Sequence, residues 1–421
     1  MNAKGKEGRG LRPSLGLLDA TAISVGAIIG AGIYVVIGIV AGMAGPGMLI
    51  SMILAAVASL LIALSYAELS AWLPLEGSVY EFAYRLISPS AAFFAGWMYM
   101  MGNAFAGAAV ALGFAYYFVA LFPLAEPQVI AVLLCSAFAA VNFYGIRQSA
   151  QLNNVLVGAK LLILAFFILL GLEHFHLEDF QPSVPSGGGV IYGACYIFFA
   201  FAGFGRVSVM AEEIEDARRT VPKAIILSLL ISTVFYLAIG AVAIGLVGAP
   251  SLAASSSPLA DAMRATGSPA AVSLVSLGGL LATASVLLTS ILAVSREAYA
   301  MALRRNLPDR LAKLHPVHGT PYISVWIAGM LMALLALLVD LQNLVAVGTF
   351  GTLFYYAMAC VSDIRLRMQR REGLILPVAG VVFCLVLLIF LLFTSPLALS
   401  LGTIMVISGG LFYKLMSKMR S

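Results

Sequence analysis

The nine residues GAIIGAGIY, Gly26–Tyr34, place three glycines inside an apolar run that extends over 16–41. Glycine costs about 1 kcal/mol relative to alanine in a helix interior. Three together mean either close packing through small residues or a helix that breaks. The run is long enough to cross a hydrocarbon core, which takes about 20 apolar residues per helix. The choice is therefore between a plain membrane bundle and one whose first span is interrupted.

The rest of the chain sets the context. Of 421 residues, 62% are hydrophobic and 10% charged, against about 25% charged in a soluble chain. This is the composition of an all-α polytopic membrane protein. Twelve apolar runs qualify as spans, at 16–41, 48–72, 92–121, 128–144, 150–171, 190–212, 222–248, 269–299, 322–340, 342–361, 374–393 and 397–415. Lys and Arg concentrate in alternate connections, as the positive-inside rule predicts. That rule puts both termini in the cytoplasm, with the protein in the cell (plasma or inner) membrane. Residues 1–13, MNAKGKEGRGLRP, read as a cytoplasmic tail, with no small-residue cleavage site to mark a signal peptide. The net charge of +5 follows from this distribution and leaves no basic stripe for nucleic acid.

The sequence offers little to an enzyme. The four cysteines lie in apolar runs without metal-type spacing and read as small buried hydrophobes. EHFHLEDF, residues 173–180, sits in an outer loop, and neither an HExxH pair nor a nucleophile–base arrangement occurs. No metal and no cofactor is expected.

A second interrupted stretch occurs in the sixth span, FFAFAGFGRVSVMAEE, Phe198–Glu213. Glycine-interrupted segments in corresponding positions of two halves are the best sequence pointer to a transporter binding site. Each stretch opens a block of five spans, 14–173 and 186–361. An odd block length inserts the second block upside down, a five-plus-five inverted repeat, and 372–416 adds two further helices. A break at mid-depth exposes N–H groups at one half-helix end, which favour an anion, and carbonyls at the other, which favour a cation. That pair of ends suits a zwitterionic amino acid. Gly30, Ala31 and Gly32 are candidates for the carboxylate, and the carbonyls near Ile28, Phe201 and Ala202 for the ammonium. Tyr34, Asn103, Phe198, Phe201, Phe204 and Gly205 are candidates to shape the side-chain pocket.

The fifth span, NNVLVGAKLLILAFFILLG (Asn153–Gly171), carries Lys160 near its middle. A charge at a helix centre costs roughly 2.5–3.5 kcal/mol on insertion scales and marks a functional candidate. Counted over the whole span, Ala150 to Gly171, Lys160 lies about ten residues from either end, roughly 15 Å at 1.5 Å per residue, beyond the reach of a snorkelling stem. An amine held by carbonyls and hydroxyls alone could lose its proton during a transport cycle. The carbonyl of Gly26 and the hydroxyls of Thr289 and Ser290 are its candidate partners.

Four segments in order resemble the amino acid–polyamine–organocation permeases, which have the leucine-transporter fold. They are GAIIGAGIY, SYAELSAWLPLEGSVYEFAY (Ser65–Tyr84), FFAFAGFGRVSVMAEEIEDARRTVPKAI (Phe198–Ile225) and SREAYAMALRRNLP (Ser295–Pro308). The resemblance covers essentially the whole chain. It implies twelve helices in a five-plus-five inverted repeat with two added, and a substrate carboxylate bound at the first-helix glycines. In the ApcT-type proton-coupled branch a lysine on the fifth helix occupies the place of a sodium ion, and Lys160 matches that position. Arg206 departs from many relatives. It is a possible gate, a partner for the substrate carboxylate or an inner-half arginine reaching cytoplasmic water. Two cations near the pathway disfavour basic side chains. The expectation is a secondary importer of neutral amino acids, coupled to protons. The alternatives are an exchanger or uniporter of the same fold, and a non-transporting amino acid sensor. The acidic run Glu212–Asp216 is expected to be a solvated inner loop, and Glu68 a tie between helix ends.

Overall fold

Hydrocarbon offers no partner to a free N–H or C=O, so a chain this apolar closes its backbone bonds within helices. The computed structural model describes residues 13–30, 32–75, 78–122, 125–176 and 187–420. Ala31, tail residues 1–12 and loop residues 177–186 lie outside the described residues. The helices run α1 Leu17–Ile28, α2 Ile37–Ala44, α3 Met48–Trp72, α4 Ser78–Leu86, α5 Pro89–Leu121, α6 Pro127–Phe143, α7 Ile146–Glu173 and α8 Gly187–Phe201. They continue with α9 Arg206–Val209, α10 Ala217–Ala254, α11 Pro258–Arg264, α12 Pro269–Leu303, α13 Tyr322–Leu338, α14 Leu341–Arg370, α15 Ile375–Thr394 and α16 Pro396–Arg420. Among the described residues, eight helical stretches are long and apolar enough to cross a membrane; α6, α8 and α13 are shorter apolar helices.

Local chemistry starts the long central helices. Ser88 and Ser268 accept from the N–H of Ala91 (3.1 Å) and Ala271 (3.3 Å), each with proline at the next position. Asp340 caps α14 through the N–H of Asn343 at 3.0 Å. A polar cap and a proline in the first turn satisfy or remove donors the helix cannot bond itself.

The spans expected at 16–41 and 190–212 are both broken. The first leaves α1 at Ile28, turns extended at Ile29 (φ −78, ψ 102), and resumes as a π-helical turn, Gly32–Val36, before α2. The second stops at Phe201, passes through a turn at 202–205 and resumes as α9. The short helices α4 and α11 were not expected; α4 carries Glu81 into contact with the end of α12.

The core is formed by the broken pair with α3, α7, α10, α12, α14 and α15 packed on it, and α5 packs on α12 and α14. One end of the bundle gathers the basic side chains and is called the basic face. There Arg304 bonds both oxygens of Glu81 at 2.6 Å. Glu68 pairs with Arg367 and, at 3.5 Å, with Arg370, as the tie between helix ends expected of it.

Candidate functional site

The two breaks meet. A Cβ at Gly203 would land on the backbone of Ala27 and Ile28, and one at Gly32 on Ala200. The half-helices thus cross with their backbones touching, an approach only glycine permits. Helix ends leave carbonyls without intrahelical partners, and two tyrosines supply donors. Tyr236 of α10 donates to the carbonyls of Ile28 (2.7 Å) and Ala200 (3.0 Å), and Tyr356 of α14 to that of Ala202 (2.5 Å). Two of the carbonyls expected for an ammonium, Ile28 and Ala202, therefore already accept one bond each.

A cavity lies against the crossing, about 20 Å³ when measured by where the centre of a water molecule fits. That is room for a water, which needs about 10–15 Å³ on this measure, and less than an amino acid occupies. Ile28, Gly32, Asn103, Ala202 and Arg206 line it, as the sequence suggested. The expected aromatics do not. Phe198 and Phe204 pack on Tyr356, with ring centroids 6.3 and 4.6 Å apart, and Phe201 packs on Tyr236 at 5.0 Å. They brace the break, and Phe199 faces the cavity instead. Gly205 accepts from the Tyr66 hydroxyl at 3.3 Å, and Gly30 packs against Val286. Tyr34 is buried edge-on to Tyr117 (5.9 Å), away from the cavity lining. Val286 and Thr352 also line the cavity and were missed. Ala106 and Val110 join Asn103 there at i+3 and i+7, one stripe of α5 that helical periodicity could have found.

Lys160 is fully buried. On α7, Val155, Leu162 and Leu169 are 69%, 75% and 67% exposed, and at 100° per residue Lys160 points away from that lipid-facing stripe. Its amine donates to the carbonyls of Gly26 (3.1 Å) and Ile29 (2.5 Å) at the α1 break, and to the hydroxyl of Ser285 on α12 (2.6 Å). Gly26 was expected. Of the hydroxyls, Ser285 takes the place foreseen for Thr289 and Ser290, one turn further along α12. Ser290 bonds the carbonyl of Val286 in its own helix at 2.7 Å, and Thr289 faces Arg206. Asn153, two turns before Lys160, donates to the carbonyl of Ala22 at 3.0 Å and fills the space beside Gly26.

Arg206 is 5% exposed, so its head does not reach water at the basic face. It donates to the Val286 carbonyl (3.1 Å), the Thr289 hydroxyl (3.0 Å) and Asn103 Oδ1 (3.3 Å), while its Nε has no partner among the described residues. The cavity therefore has a guanidinium in its wall whose Nε–H is unpaired among the described residues.

Toward the basic face the flanks of the two broken segments are pinned together. Residues 14–15 pair with 213–215, with the N–H groups of Ser14 and Leu15 on the Glu213 carbonyl (2.9 and 3.1 Å) and that of Glu215 on the Leu15 carbonyl (2.9 Å). The Glu213 side chain is buried and meets Arg296 of α12 at 3.2 Å. It is thus not part of a solvated loop, although Glu212, Glu215 and Asp216 are exposed. Burial pushes the Glu213 carboxyl up from its ordinary range, and the Arg296 guanidinium beside it opposes that rise.

Comparison with known proteins follows from this geometry. A family model described as amino acid permease matches residues 15–413. The chain is 32% identical over 413 residues to the branched-chain amino acid permease of Bacillus subtilis, covering 90% of this chain and 88% of that protein. It is 31% identical to the methylthioribose transporter of the same organism, over 86% of this chain and 83% of that one. Cationic amino acid transporter 4 of Mus musculus is 36% identical, over 86% of this chain and 60% of that protein.

Proposed function

The chain belongs to the amino acid permease family of the amino acid–polyamine–organocation superfamily, and from that premise we propose a proton-coupled importer of neutral amino acids working by alternating access. As a permease it is a transporter and not an enzyme. The proposed layout is twelve passes, with spans 1–5 (14–173) and 6–10 (186–361) as inverted halves and 372–416 added. The basic face lies in the cytoplasm of a cell (plasma or inner) membrane, by the positive-inside rule.

One observation carries the coupling: the buried amine of Lys160 ties the α1 break to α12 through two carbonyls and a hydroxyl, with no carboxylate among its partners. Oxygen ligands of this kind also suit a hard cation, so a protonated amine here does what a bound metal cation would do. Protonated, Lys160 holds the break against α12 beside the cavity; neutral, it has at most two protons left to donate and the tie loosens. The substrate carboxylate is placed at the Gly30–Gly32 turn, within reach of the first N–H groups of the resumed helix and the spare donor of Arg206. The ammonium is placed toward the free lone pairs near Ile28, Phe201 and Ala202. Arg206 in the wall supports neutral side chains over basic ones, as does the likeness to a branched-chain amino acid permease; the likeness to a cationic amino acid transporter points the other way.

Proteoliposomes with an empty lumen and an imposed pH gradient test the reading. Wild-type protein concentrates labelled leucine, whereas Lys160→Ala binds leucine without concentrating it. Concentration by Lys160→Ala equal to wild type removes the coupling role. A thermal-shift panel of amino acids together with methylthioribose tests the substrate class, because a ligand that binds only the folded state raises its apparent stability.

A further inference from the structure

Glu297 lies on α12, six residues short of its end at Leu303 and so roughly 9 Å along the helix from that end at 1.5 Å per residue. It is fully buried, and neither carboxylate oxygen has a hydrogen-bond partner among the described residues. An isolated carboxylate taken out of water loses its hydration without compensation, so buried acids are paired, bound to a cation or neutral. The titratable groups near enough to interact with it electrostatically are Glu81 and Tyr80 from α4, Tyr66 from α3, Tyr99 from α5 and Tyr355 from α14. None of these is a cation. The nearby positive charges are committed elsewhere: Arg304 holds Glu81 by two bonds, and Arg296 reaches Glu213. On α5 the chain makes room for the acid, since a Cβ at Gly96 would come within 2.9 Å of Glu297 Oε1.

A hydroxyl network separates this acid from the substrate cavity. Tyr66 meets Tyr355 at 2.9 Å and Ser78 at 2.5 Å; Ser78 meets Ser208 at 3.0 Å, and Ser208 meets Ser70 at 2.7 Å. Ser208 belongs to α9, the short helix that also carries Arg206 of the cavity wall. Tyr99, whose ring lies 4.4 Å from that of Tyr355, has a buried hydroxyl without a partner among the described residues. Glu297 and Tyr99 thus both keep buried polar atoms without partners among the described residues.

We propose that Glu297 is a second proton-binding site of this transporter, distinct from Lys160, which carries its proton while the basic face is closed and gives it up when that face opens. The inference rests on the transporter reading above. Opening separates residues 14–15 and 213–215 and admits water. The carboxylic O–H bond then breaks, its electron pair stays on the oxygen, and the proton leaves on water. The resulting carboxylate is stable only because it is now hydrated. Closure requires it to be protonated again before water is expelled.

Infrared difference spectroscopy on the full chain in lipid nanodiscs reads this directly. Wild-type protein is expected to show a carboxylic-acid C=O stretch at acid pH that disappears at alkaline pH and is absent from Glu297→Gln. In proteoliposomes, the ratio of gradient-driven net uptake to exchange is expected to fall at least tenfold in Glu297→Gln. If that variant does not fold, Glu297→Asp should displace the same band and so keep the assignment. A spectrum with no band assignable to Glu297, a band unmoved by pH, or a wild-type uptake ratio in Glu297→Gln overturns the proposal. The band needs neither transport nor Lys160, so it persists in Lys160→Ala even if the coupling role of that lysine fails.

Discussion

Replacing Arg206 by glutamine removes a charge from the cavity wall and keeps a side chain able to hydrogen-bond. Its three bonds tie α5 to α12 through Asn103, Val286 and Thr289. If a substrate's side-chain ammonium comes within about 6 Å of the guanidinium, the two like charges repel by about 3 kcal/mol at an effective dielectric near 20. At about 1.4 kcal/mol per decade this repulsion disfavours lysine over a neutral substrate by about a hundredfold, and by about tenfold if water enters beside the charge. Leucine feels no such repulsion. In Arg206→Gln the ratio of kcat/KM for lysine to that for leucine should therefore rise about tenfold to a hundredfold. The measurement is dual-label competitive uptake in one proteoliposome preparation, so the fraction of active protein cancels. Loss of the α5–α12 bonds lowers both rates and leaves the ratio alone. A ratio that stays the same or falls refutes the electrostatic account of selectivity.

Two further outcomes test the local geometry. Gly203→Ala drives a methyl into the backbone of Ala27 and Ile28; overpacking of this kind costs about 1–3 kcal/mol, so the apparent Tm should fall and leucine uptake with it, and an unchanged Tm means that the half-helices do not touch. Ser285→Ala removes a hydroxyl from the protonated amine of Lys160, a charged hydrogen bond of about 1.5–3 kcal/mol, so about tenfold more acid or greater is needed for the same uptake. Ser290→Ala, whose hydroxyl bonds its own helix, should leave that pH dependence in place, and equal effects of the two variants would refute the assignment of Ser285.

Long apolar helices, the two breaks and the mid-helix place of Lys160 were legible because each is a local property. Hydrocarbon thickness sets how many apolar residues a span needs, a glycine cluster weakens whatever helix contains it, and a lysine near the middle of Ile146–Glu173 cannot reach a headgroup. Asn103 and Arg206 were foreseen as pathway residues, and both line the cavity. The errors were rotational. Phe199 in place of Phe198, and Ser285 in place of Thr289 or Ser290, are shifts of one residue and one turn, each decided by the direction in which a helix faces.

That direction comes from packing among residues far apart in the chain. Lys160 and Ser285 are 125 positions apart, Glu213 and Arg296 are 83 apart, and Arg206 lies 103 from Asn103. Glu297, which follows Arg296 near the end of an apolar run, carries no local mark of burial. Only the approach of α3, α4, α5 and α14 closes water away from it. Sequence alone determined which stretches are apolar enough for a membrane and where they cannot remain helical, because hydrophobic length and backbone propensity act within a few residues. Tertiary structure alone decided which oxygen meets which donor, because a helix rotates 100° per residue and its azimuth depends on neighbours that no local pattern encodes.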